Sequence, residues 1–441
     1  MTVRLFFFAY RILWTILLPV MLAYIWLRGR RDPDYACHIS ERFGFYQNRQ
    51  CTGAIWIHAV SLGETRSATK LIRTLLDRGE TVLLTHFTPT GRRESARLFA
   101  DHISSGNLHV VWVPFDMVWC HRRFHRAFKP RIGLTLEVEI WPSMIFTARA
   151  FRLPLYLCNG QYADKSFKRD TRGLQIRARI VRELAGAMVK SEMHAKRFKQ
   201  IGMRDVRVTG ELRFDQPIPE TQVNAARLQL TKIEPERTIV TIASGVEDEE
   251  QLYCNLIIRM CAHAREHNTP PPLFIYVPRA PERFDFVADQ LSRTGIKIKR
   301  RSEIFDEILR SDHSLEKTDV LLGDSLGEMF FYLALADRVV VGGGFTPRGA
   351  HNIIEPLMLR KPVIVGPFVW TIKYPFREAE HANIAISTPD ADDLFSKLIN
   401  PSAISTKNIN QFLEQHGGAS SRTLSEIEAI LLSHKQDCSY L

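Results

Sequence analysis

Apolar runs typical of buried strands alternate with amphipathic helical patterns along most of this chain, and the alternation falls into two blocks. In the first block the expected strands are 54–60, 81–87, 109–115, 131–138, 154–159 and 186–190. In the second block they are 237–243, 272–278, 319–324, 338–343 and 361–366. Such alternation indicates parallel sheets with right-handed crossover helices. The sequence therefore predicts an α/β structure with two doubly wound, Rossmann-like domains.

The polar stretch 216–236 lies between the two blocks and carries three prolines. We interpret it as an interdomain linker that has room for one helix. The 441 residues of the chain exceed the roughly 250–300 at which a single core stops growing, which also favours two domains. The first domain is expected at 32–215 and the second at 237–441. Two such domains facing a cleft form the glycosyltransferase architecture called GT-B.

The N-terminal segment from Leu5 to Leu27 is apolar apart from Arg11 and long enough to cross a bilayer. Three arginines follow at positions 28–31, and cations there favour the cytoplasmic side of the membrane. We expect 1–31 to be an uncleaved anchor that either spans the membrane or lies in its interface, with the remaining chain cytoplasmic. A signal peptide is disfavoured because a small-residue cleavage site is missing. A buried helix of a soluble protein stays an alternative.

The composition narrows the classes of partner. Lys and Arg total 59 against 48 Asp and Glu, and the net charge of +11 favours anionic partners. No RNA-recognition signature and no run of five basic residues occurs, so nucleic acid is not expected. The seven cysteines form no CxxC pair, which disfavours a disulfide framework and a zinc site.

Two acidic motifs follow expected strands of the first block. Glu64 opens a helix after a turn that contains Gly63, where it either acts as a general base or complements the positive helix end. Glu137 and Glu139 alternate at a strand end and are expected to point the same way. Such a pair either stabilises a developing cation, or binds sugar hydroxyls, or lies at a solvent-facing edge.

An arginine follows an expected strand of the second block. Arg279 stands at the carboxyl tip of the strand at 272–278 and offers a planar fork for a phosphate. Arg283 and Glu282 lie just beyond it and are expected to form a surface ion pair.

Two glycine-containing turns of the second block also suit a nucleotide. The turn at 323–328 either binds a nucleotide through exposed N–H groups or is a plain turn with Ser325 as the helix cap. Three glycines at 342–344 lead to a helix that is expected to open near His351 and Asn352, with Glu355 in reach of ribose hydroxyls. The chain has no G-x-G-x-x-G fingerprint and no Walker A motif, so dinucleotide and triphosphate binding are not supported.

Seven motifs taken in order resemble the 3-deoxy-D-manno-octulosonate (Kdo) transferases of Gram-negative lipopolysaccharide synthesis, and the similarity extends over nearly the whole chain. They are HAVSLGE (58–64), TPTG (88–91), EVEIWP (137–142), VTGELRFD (208–215), VPRAPERF (277–284), GDSLGE (323–328) and GGGFTPRGAHNIIEP (342–356). The resemblance implies an inverting, metal-independent, membrane-associated GT-B enzyme without a cofactor. It also implies that Kdo moves from CMP-Kdo to the glucosamine of a lipid A precursor at the inner membrane.

The resemblance further implies the roles of individual residues. In the first domain, which would take the acceptor, Glu64 corresponds to the base that deprotonates the acceptor hydroxyl. Glu137 and Arg213 correspond to groups that stabilise the transition state. In the second domain, which would bind the CMP-sugar, the CMP contacts correspond to Pro278, Arg279, Leu326, Gly327, Glu328, Asn352, Ile353, Ile354 and Glu355.

Four positions depart from the family pattern. Val246 and Ala280 replace histidines, Arg213 replaces a lysine, and Gln161 replaces the cation of an Asn-x-Arg motif. The base and nucleotide motifs are retained, while groups expected near the sugar change. Two alternatives to the Kdo transferase therefore stay open: a diverged relative that transfers Kdo or another CMP-linked sugar to a different glycan, and a non-catalytic nucleotide-sugar binder.

Overall fold

The computed structural model of the chain describes residues 3–47, 51–401 and 405–439, the side chains of 435–439 excepted. The chain divides into two compact units. The first comprises Met1–Pro217 together with His416–Leu441, and the second comprises Ile218–Gln415.

The first unit is built on a seven-stranded parallel sheet of order β3-β2-β1-β4-β5-β6-β7. Its strands are β1 (Ile55–His58), β2 (Val82–His86), β3 (Leu108–Trp112), β4 (Ile132–Leu136), β5 (Leu155–Gly160), β6 (Gly186–Val189) and β7 (Val206–Val208). The four residues of β1 are all buried because helices cover both faces of the sheet, as is usual for parallel sheets. The sheet thus confirms the expected doubly wound domain.

Two helices of the first unit, α1 (Val3–Gly29) and α2 (Ile39–Arg42), precede β1, and its other helices before β7 lie in the crossovers between strands. The latter are α3 (Leu62–Ser67), α4 (Thr69–Asp77), α5 (Pro89–Leu98), α6 (Ala100–Ser104), α7 (Val118–Phe128), α8 (Pro142–Ala150), α9 (Asp164–Asp170), α10 (Ile176–Val181) and α11 (Glu192–Gln200). Short 3-10 turns add Pro33–Tyr35 and Leu212–Asp215.

The apolar helix α1 is long and apolar enough to cross a membrane, judged by length and composition. One of its faces packs against the first unit: the Tyr10 hydroxyl donates to Asp116 at 2.6 Å, and the rings of Phe7 and Phe146 lie 4.5 Å apart. Near its other end Ile25 is buried. The opposite face exposes large apolar side chains, including Phe8, Ile12, Ile16, Val20 and Trp26.

The second unit contains another seven-stranded parallel sheet, of order β10-β11-β9-β8-β12-β13-β14. Its strands are β8 (Ile239–Gly245), β9 (Leu273–Pro278), β10 (Ile298–Arg300), β11 (Val320–Leu322), β12 (Arg338–Val341), β13 (Val363–Val365) and β14 (Ala385–Ser387). Its helices are α12 (Glu220–Leu230), α13 (Glu250–Glu266), α14 (Phe284–Ser292), α15 (Arg301–Ile304), α16 (Met329–Leu335), α17 (Ile354–Met358), α18 (Lys373–His381), α19 (Ala391–Ile399) and most of α20 (Thr406–His416), and a 3-10 turn spans Pro281–Arg283.

The expected domain boundaries need two corrections. The segment 216–236, expected as a linker, contributes α12 to the second unit, where Gln222 donates to the carbonyl of Gly327 at 2.9 Å. The last helix, α21 (Ala419–Ser439), belongs to the first unit rather than to a second domain that ends at 441. Apolar side chains of α21, such as Ile427, are buried in the core beneath the first sheet, which explains why the helix packs there.

Candidate functional site

Glu64 lies in the first turn of α3, directly beyond the carboxyl end of β1. Its carboxylate folds back over the turn and accepts the backbone N–H of Val60 at 2.6 Å, while the Ser61 hydroxyl accepts the N–H of Glu64 at 3.4 Å. These bonds resemble a reciprocal capping arrangement. The geometry therefore shows the expected role of Glu64 at the helix end. Whether Glu64 can also act as a base depends on its pKa.

Glu64 is buried, with only 9% of its surface exposed. Burial raises the pKa of Glu64 to about 8, and the negative charges of Glu139 and Glu137 raise it as well, against the lowering effect of the Val60 N–H. A carboxyl group with a pKa near neutrality is suited to accept a proton, because its conjugate base is then a stronger base than an ordinary carboxylate. Strongly shifted groups of this kind are typical of functional sites.

Glu137 follows β4 but does not continue it. The strand ends at Leu136, and Glu137 has a left-handed backbone with φ 57°, so the expected strand alternation with Glu139 is wrong. The carboxylate of Glu139 accepts the indole N–H of Trp141 at 2.6 Å. Both carboxylates nevertheless lie close enough to Glu64 to raise its pKa.

Arg213, the third expected residue of the first unit, binds Glu137 directly. Its guanidinium donates to Oε1 of Glu137 at 2.6 Å. The 3-10 turn Leu212–Asp215 positions the arginine, and the amide of Asn159 fixes this turn by accepting the N–H of Leu212 at 3.0 Å. The structure therefore brings Glu64, Glu137 and Arg213 together at one edge of the first sheet.

Lys190 is part of the same cluster, although sequence reasoning missed it. This buried ammonium group lies 2.8 Å from Glu211, 3.3 Å from the Gln161 side-chain oxygen and 3.5 Å from Glu137. Burial alone would raise the pKa of Glu211, but the charges of Lys190 and Arg213 outweigh it and lower the pKa to about 2. The available signal was a lysine that ends the apolar run at 186–190.

In the second unit Arg279 follows β9, as expected. Its backbone N–H donates to the carbonyl of Gly245, the last residue of β8, at 2.9 Å, and burial lowers the pKa of its guanidinium. Burial, and to a lesser extent the charge of Arg279, lowers the pKa of His351 to about 4. The Nε2 atom of His351 is buried and has no hydrogen-bond partner among the described residues.

The glycine loop after β12 is held close to this histidine. Gly343 has φ +85°, and a Cβ there would lie 2.5 Å from the carbonyl oxygen of Gly349 and 3.2 Å from His351. Glu249, which sequence reasoning missed, accepts the backbone N–H groups of Gly343 and Phe345 at 2.7 and 2.8 Å. A buried carboxylate thus fixes the loop, and only glycine fits its tightest turn.

Among the residues after this loop that are expected to contact CMP, some can offer a side chain and others only their backbone. The side-chain oxygen of Asn352 accepts the N–H of Ile354 at 2.9 Å, and α17 begins at Ile354. Ile353 and Ile354 are buried in the core, so of these two only the backbone is available to a ligand. Glu355 is half-buried in the first turn of α17.

In the turn between β11 and α16, the expected cap by Ser325 is wrong. Glu328 forms two hydrogen bonds with the guanidinium of Arg301, each of 2.6 Å, and also binds the Ser325 hydroxyl. Ser325 therefore does not cap α16, whose N-cap residue is Glu328 itself. Gly327 has a left-handed backbone and Leu326 is 72% exposed.

The remaining expected residues of the second unit lie near β9. Pro278 is the last residue of β9 and pairs with Gly245 after a register shift. Arg283 does not pair with Glu282 as expected, because its guanidinium binds both carboxylate oxygens of Glu250 at the start of α13. Arg279 and Arg283 thus have different environments although both were read from one motif.

Solved structures with the same architecture show the fold of the chain. A glycosyltransferase from Rickettsia africae has a TM-score of 0.54 at 11% identity, covering 86% of this chain and 99% of that one. Anabaena HepE in complex with UDP has a TM-score of 0.54 at 12% identity, with coverages of 86% and 99%. With its two seven-stranded parallel sheets, the chain has the GT-B glycosyltransferase fold.

Sequence relatives identify the family. The family described as 3-deoxy-D-manno-octulosonic-acid transferase matches residues 37–216. The 3-deoxy-D-manno-octulosonic acid transferase of Bordetella pertussis is 35% identical, covering 93% of this chain and 96% of that protein. The Haemophilus influenzae enzyme of the same name is 29% identical, with both coverages 84%. The chain therefore belongs to the Kdo transferase family and is a glycosyltransferase, which disfavours the non-catalytic alternative.

Proposed function

We propose that this enzyme transfers Kdo from CMP-Kdo to a phosphorylated lipid A precursor, with inversion and without a metal ion. The observation that carries the proposal is the environment of Glu64, a buried carboxyl group whose pKa is raised to about 8 beside the charged pair of Glu137 and Arg213. One group suited to accept a proton thus lies near one suited to stabilise positive charge.

The chemistry of a CMP-sugar explains why both groups are needed. As the bond between the sugar and the phosphate breaks, positive character develops at the sugar, and Glu137 would stabilise it. Glu64 would take the proton of the acceptor hydroxyl as that oxygen attacks the anomeric carbon. Attack from the side opposite the departing phosphate gives inversion. Arg213 and Lys190 hold the carboxylate of Glu137 in place and limit its movement.

The departing cytidylate would be held by the second unit. Arg279 supplies an exposed guanidinium group directly after β9, and Gly343 permits the tight turn that holds the glycine loop beside His351. The backbone at the start of α17 and the half-buried Glu355 would complete the CMP contacts. A cation on the phosphate would replace the role that a metal ion has in other transferases.

Attachment to the cytoplasmic face of the inner membrane would bring the enzyme to its lipid acceptor. Helix α1 exposes one apolar face while its other face packs on the first unit from Phe7 to Ile25. Because the helix stays packed along its length, we favour attachment in the membrane interface over a spanning helix. The net charge of +11 would add attraction to anionic lipids.

A second candidate keeps the CMP-linked donor and changes the acceptor glycan. It is favoured by one observation: Gln161, which replaces a family cation, lies within the cluster, 3.3 Å from Lys190. A changed residue beside the acid and base groups can alter which hydroxyl is presented to Glu64.

The test is the release of CMP from CMP-Kdo by the full chain, measured with and without a lipid A precursor and in the presence of EDTA. We expect acceptor-dependent release that EDTA leaves unchanged, and a product with inverted anomeric configuration by NMR. Release no greater than that of Glu64→Gln would overturn the assignment of Glu64. Turnover with another glycan but not with the lipid A precursor would establish the second candidate.

A further inference from the structure

A cavity of about 290 Å³ lies between α1 and the beginning of α7 in the first unit. Phe8, Ile12 and Trp14 supply apolar walls from α1, and Arg11 and Arg122 supply one guanidinium group from each helix. This volume lies near the lower limit of small-molecule sites, which suits a headgroup rather than a whole lipid.

The two arginines of this cavity lack a carboxylate counter-ion. Among the described residues, neither Arg11 nor Arg122 forms an ion pair. The carboxylate of Asp116 also lines the cavity, but it is already engaged by the Tyr10 hydroxyl at 2.6 Å and by the backbone N–H of Met144 at 2.8 Å. The cavity therefore carries an excess of positive charge.

The position of Arg11 gives the excess positive charge of the cavity a high free-energy cost at a membrane. The residue is exposed at the border between the packed face of α1 and the exposed apolar face, three residues after Phe8 and one before Ile12. A guanidinium group surrounded by lipid needs an anionic partner, because its burial in an apolar environment is expensive. A phosphate satisfies two guanidinium forks better than a single carboxylate does.

We propose that this cavity binds the phosphate of an anionic membrane phospholipid between Arg11 and Arg122, with the acyl chains lying along Phe8 and Ile12. The proposal rests on the attachment of α1 to the membrane and is independent of the sugar that the enzyme transfers. The bound lipid would fix α1 against α7 and orient the first unit on the membrane surface.

The experiment measures binding of the full chain to vesicles of phosphatidylcholine alone, with phosphatidylglycerol, or with the lipid A precursor. The salt concentration screens exposed charges, and each binding is repeated with inorganic phosphate as a competitor. Wild-type protein is expected to prefer the vesicles that contain phosphatidylglycerol. Arg11→Gln and Arg122→Gln are each expected to reduce this preference about tenfold, the size of one charge-assisted hydrogen bond. The matched control is Arg126→Gln, which removes a charge from α7 one turn beyond the cavity and should leave the preference nearly unchanged.

Each contrary outcome overturns a defined part of the proposal. Equal losses in Arg122→Gln and Arg126→Gln would indicate general surface attraction and no lipid site. Competition by inorganic phosphate would indicate a site for soluble anions, and a preference only for vesicles that contain the lipid A precursor would assign the cavity to the acceptor. Wild-type protein that binds no vesicle would overturn both the cavity and the membrane attachment of α1. Because Arg122 is exposed, Arg122→Gln tests the cavity even if Arg11→Gln does not fold.

Discussion

Arg213 donates to Oε1 of Glu137 at 2.6 Å, and the ammonium of Lys190 lies 3.5 Å from the same oxygen. Two cations therefore act on Glu137. Glu64 has the opposite surroundings, since among the described residues its carboxylate accepts from a backbone N–H and a hydroxyl and from no cation. The neighbours of the two carboxyl groups, which both lie at the carboxyl ends of central strands, therefore suit Glu137 to stay ionised and Glu64 to accept a proton.

Replacing Glu64 with Gln is expected to lower kcat by about 10²- to 10⁴-fold, the usual contribution of a general base. The KM for CMP-Kdo should change little, because the donor is assigned to the other unit. Steady-state CMP release measures both constants. The matched control is Glu220→Gln, which alters an exposed glutamate that also lies in the first turn of a helix. Equal activities of the two variants would contradict the role of Glu64.

The pH dependence of kcat/KM should show the raised pKa of Glu64. A base with a pKa of about 8 is mostly protonated at pH 7, so activity should rise with pH, reach half its maximum near pH 8 and level off above that. Glu139→Gln removes one of the negative charges that raise this pKa, and it keeps an oxygen for the Trp141 N–H. The acid limb should therefore move to lower pH in this variant. A limb near the ordinary carboxylate value, about 4.3, would show that the pKa of the base is not raised in the working enzyme.

Replacing Lys190 with Gln should destabilise the first unit by about 3–5 kcal/mol, because it leaves the buried carboxylate of Glu211 without its partner at 2.8 Å. The pKa of Glu211, now about 2, should rise, so the stability it contributes above its unfolded pKa would be lost at a higher pH. Urea denaturation at several pH values measures both effects.

The matched variant combines Lys190→Gln with Gln161→Arg, which returns a cation to the same cluster, since the two side chains lie 3.3 Å apart. We expect it to recover stability and much of kcat. A single Lys190→Gln variant that loses less than about 1 kcal/mol, as an exposed ion pair would, contradicts the buried-pair interpretation.

Arg279→Gln should weaken CMP binding about tenfold to a hundredfold, because a hydrogen bond to a charged group contributes about 1.5–3 kcal/mol. Isothermal titration with CMP measures the dissociation constant directly. Arg283→Gln is the control: this arginine lies in the same motif but is bound by Glu250. A larger loss at Arg283 than at Arg279 would show that the phosphate lies elsewhere.

The sequence predicted eleven of the strands and missed β7, β10 and β14, for a physical reason that the sheets make clear. Each of the three is an edge strand of three residues, and the residues of β7 and β10 are all partly exposed. Without burial on both faces, a three-residue edge strand needs no continuous apolar run, so no pattern marks it; the edge strand β3 was found because it has five residues, most of them apolar.

Site residues that directly follow a strand could be predicted from the sequence. Site residues whose partners are far away in sequence could not. Glu64, Glu137 and Arg279 were found because each follows an expected strand. Lys190 and Glu249 were missed because their roles depend on partners about 20 to 95 residues away in sequence, which only the parallel sheets bring close. An isolated lysine or glutamate carries no such information.

Helix α21 has a consequence for how the protein is made. Its buried side chains complete a core whose other members are synthesised before Pro217, so all of Ile218–Gln415 must leave the ribosome in between. The core of the first unit therefore stays incomplete during translation, and the apolar side chains that α21 will cover stay exposed to solvent. The second unit is one continuous stretch of chain and can fold before α21 is made. Deleting α21 should produce a chain in which the second unit, Ile218–Gln415, folds and the remaining part of the first unit aggregates.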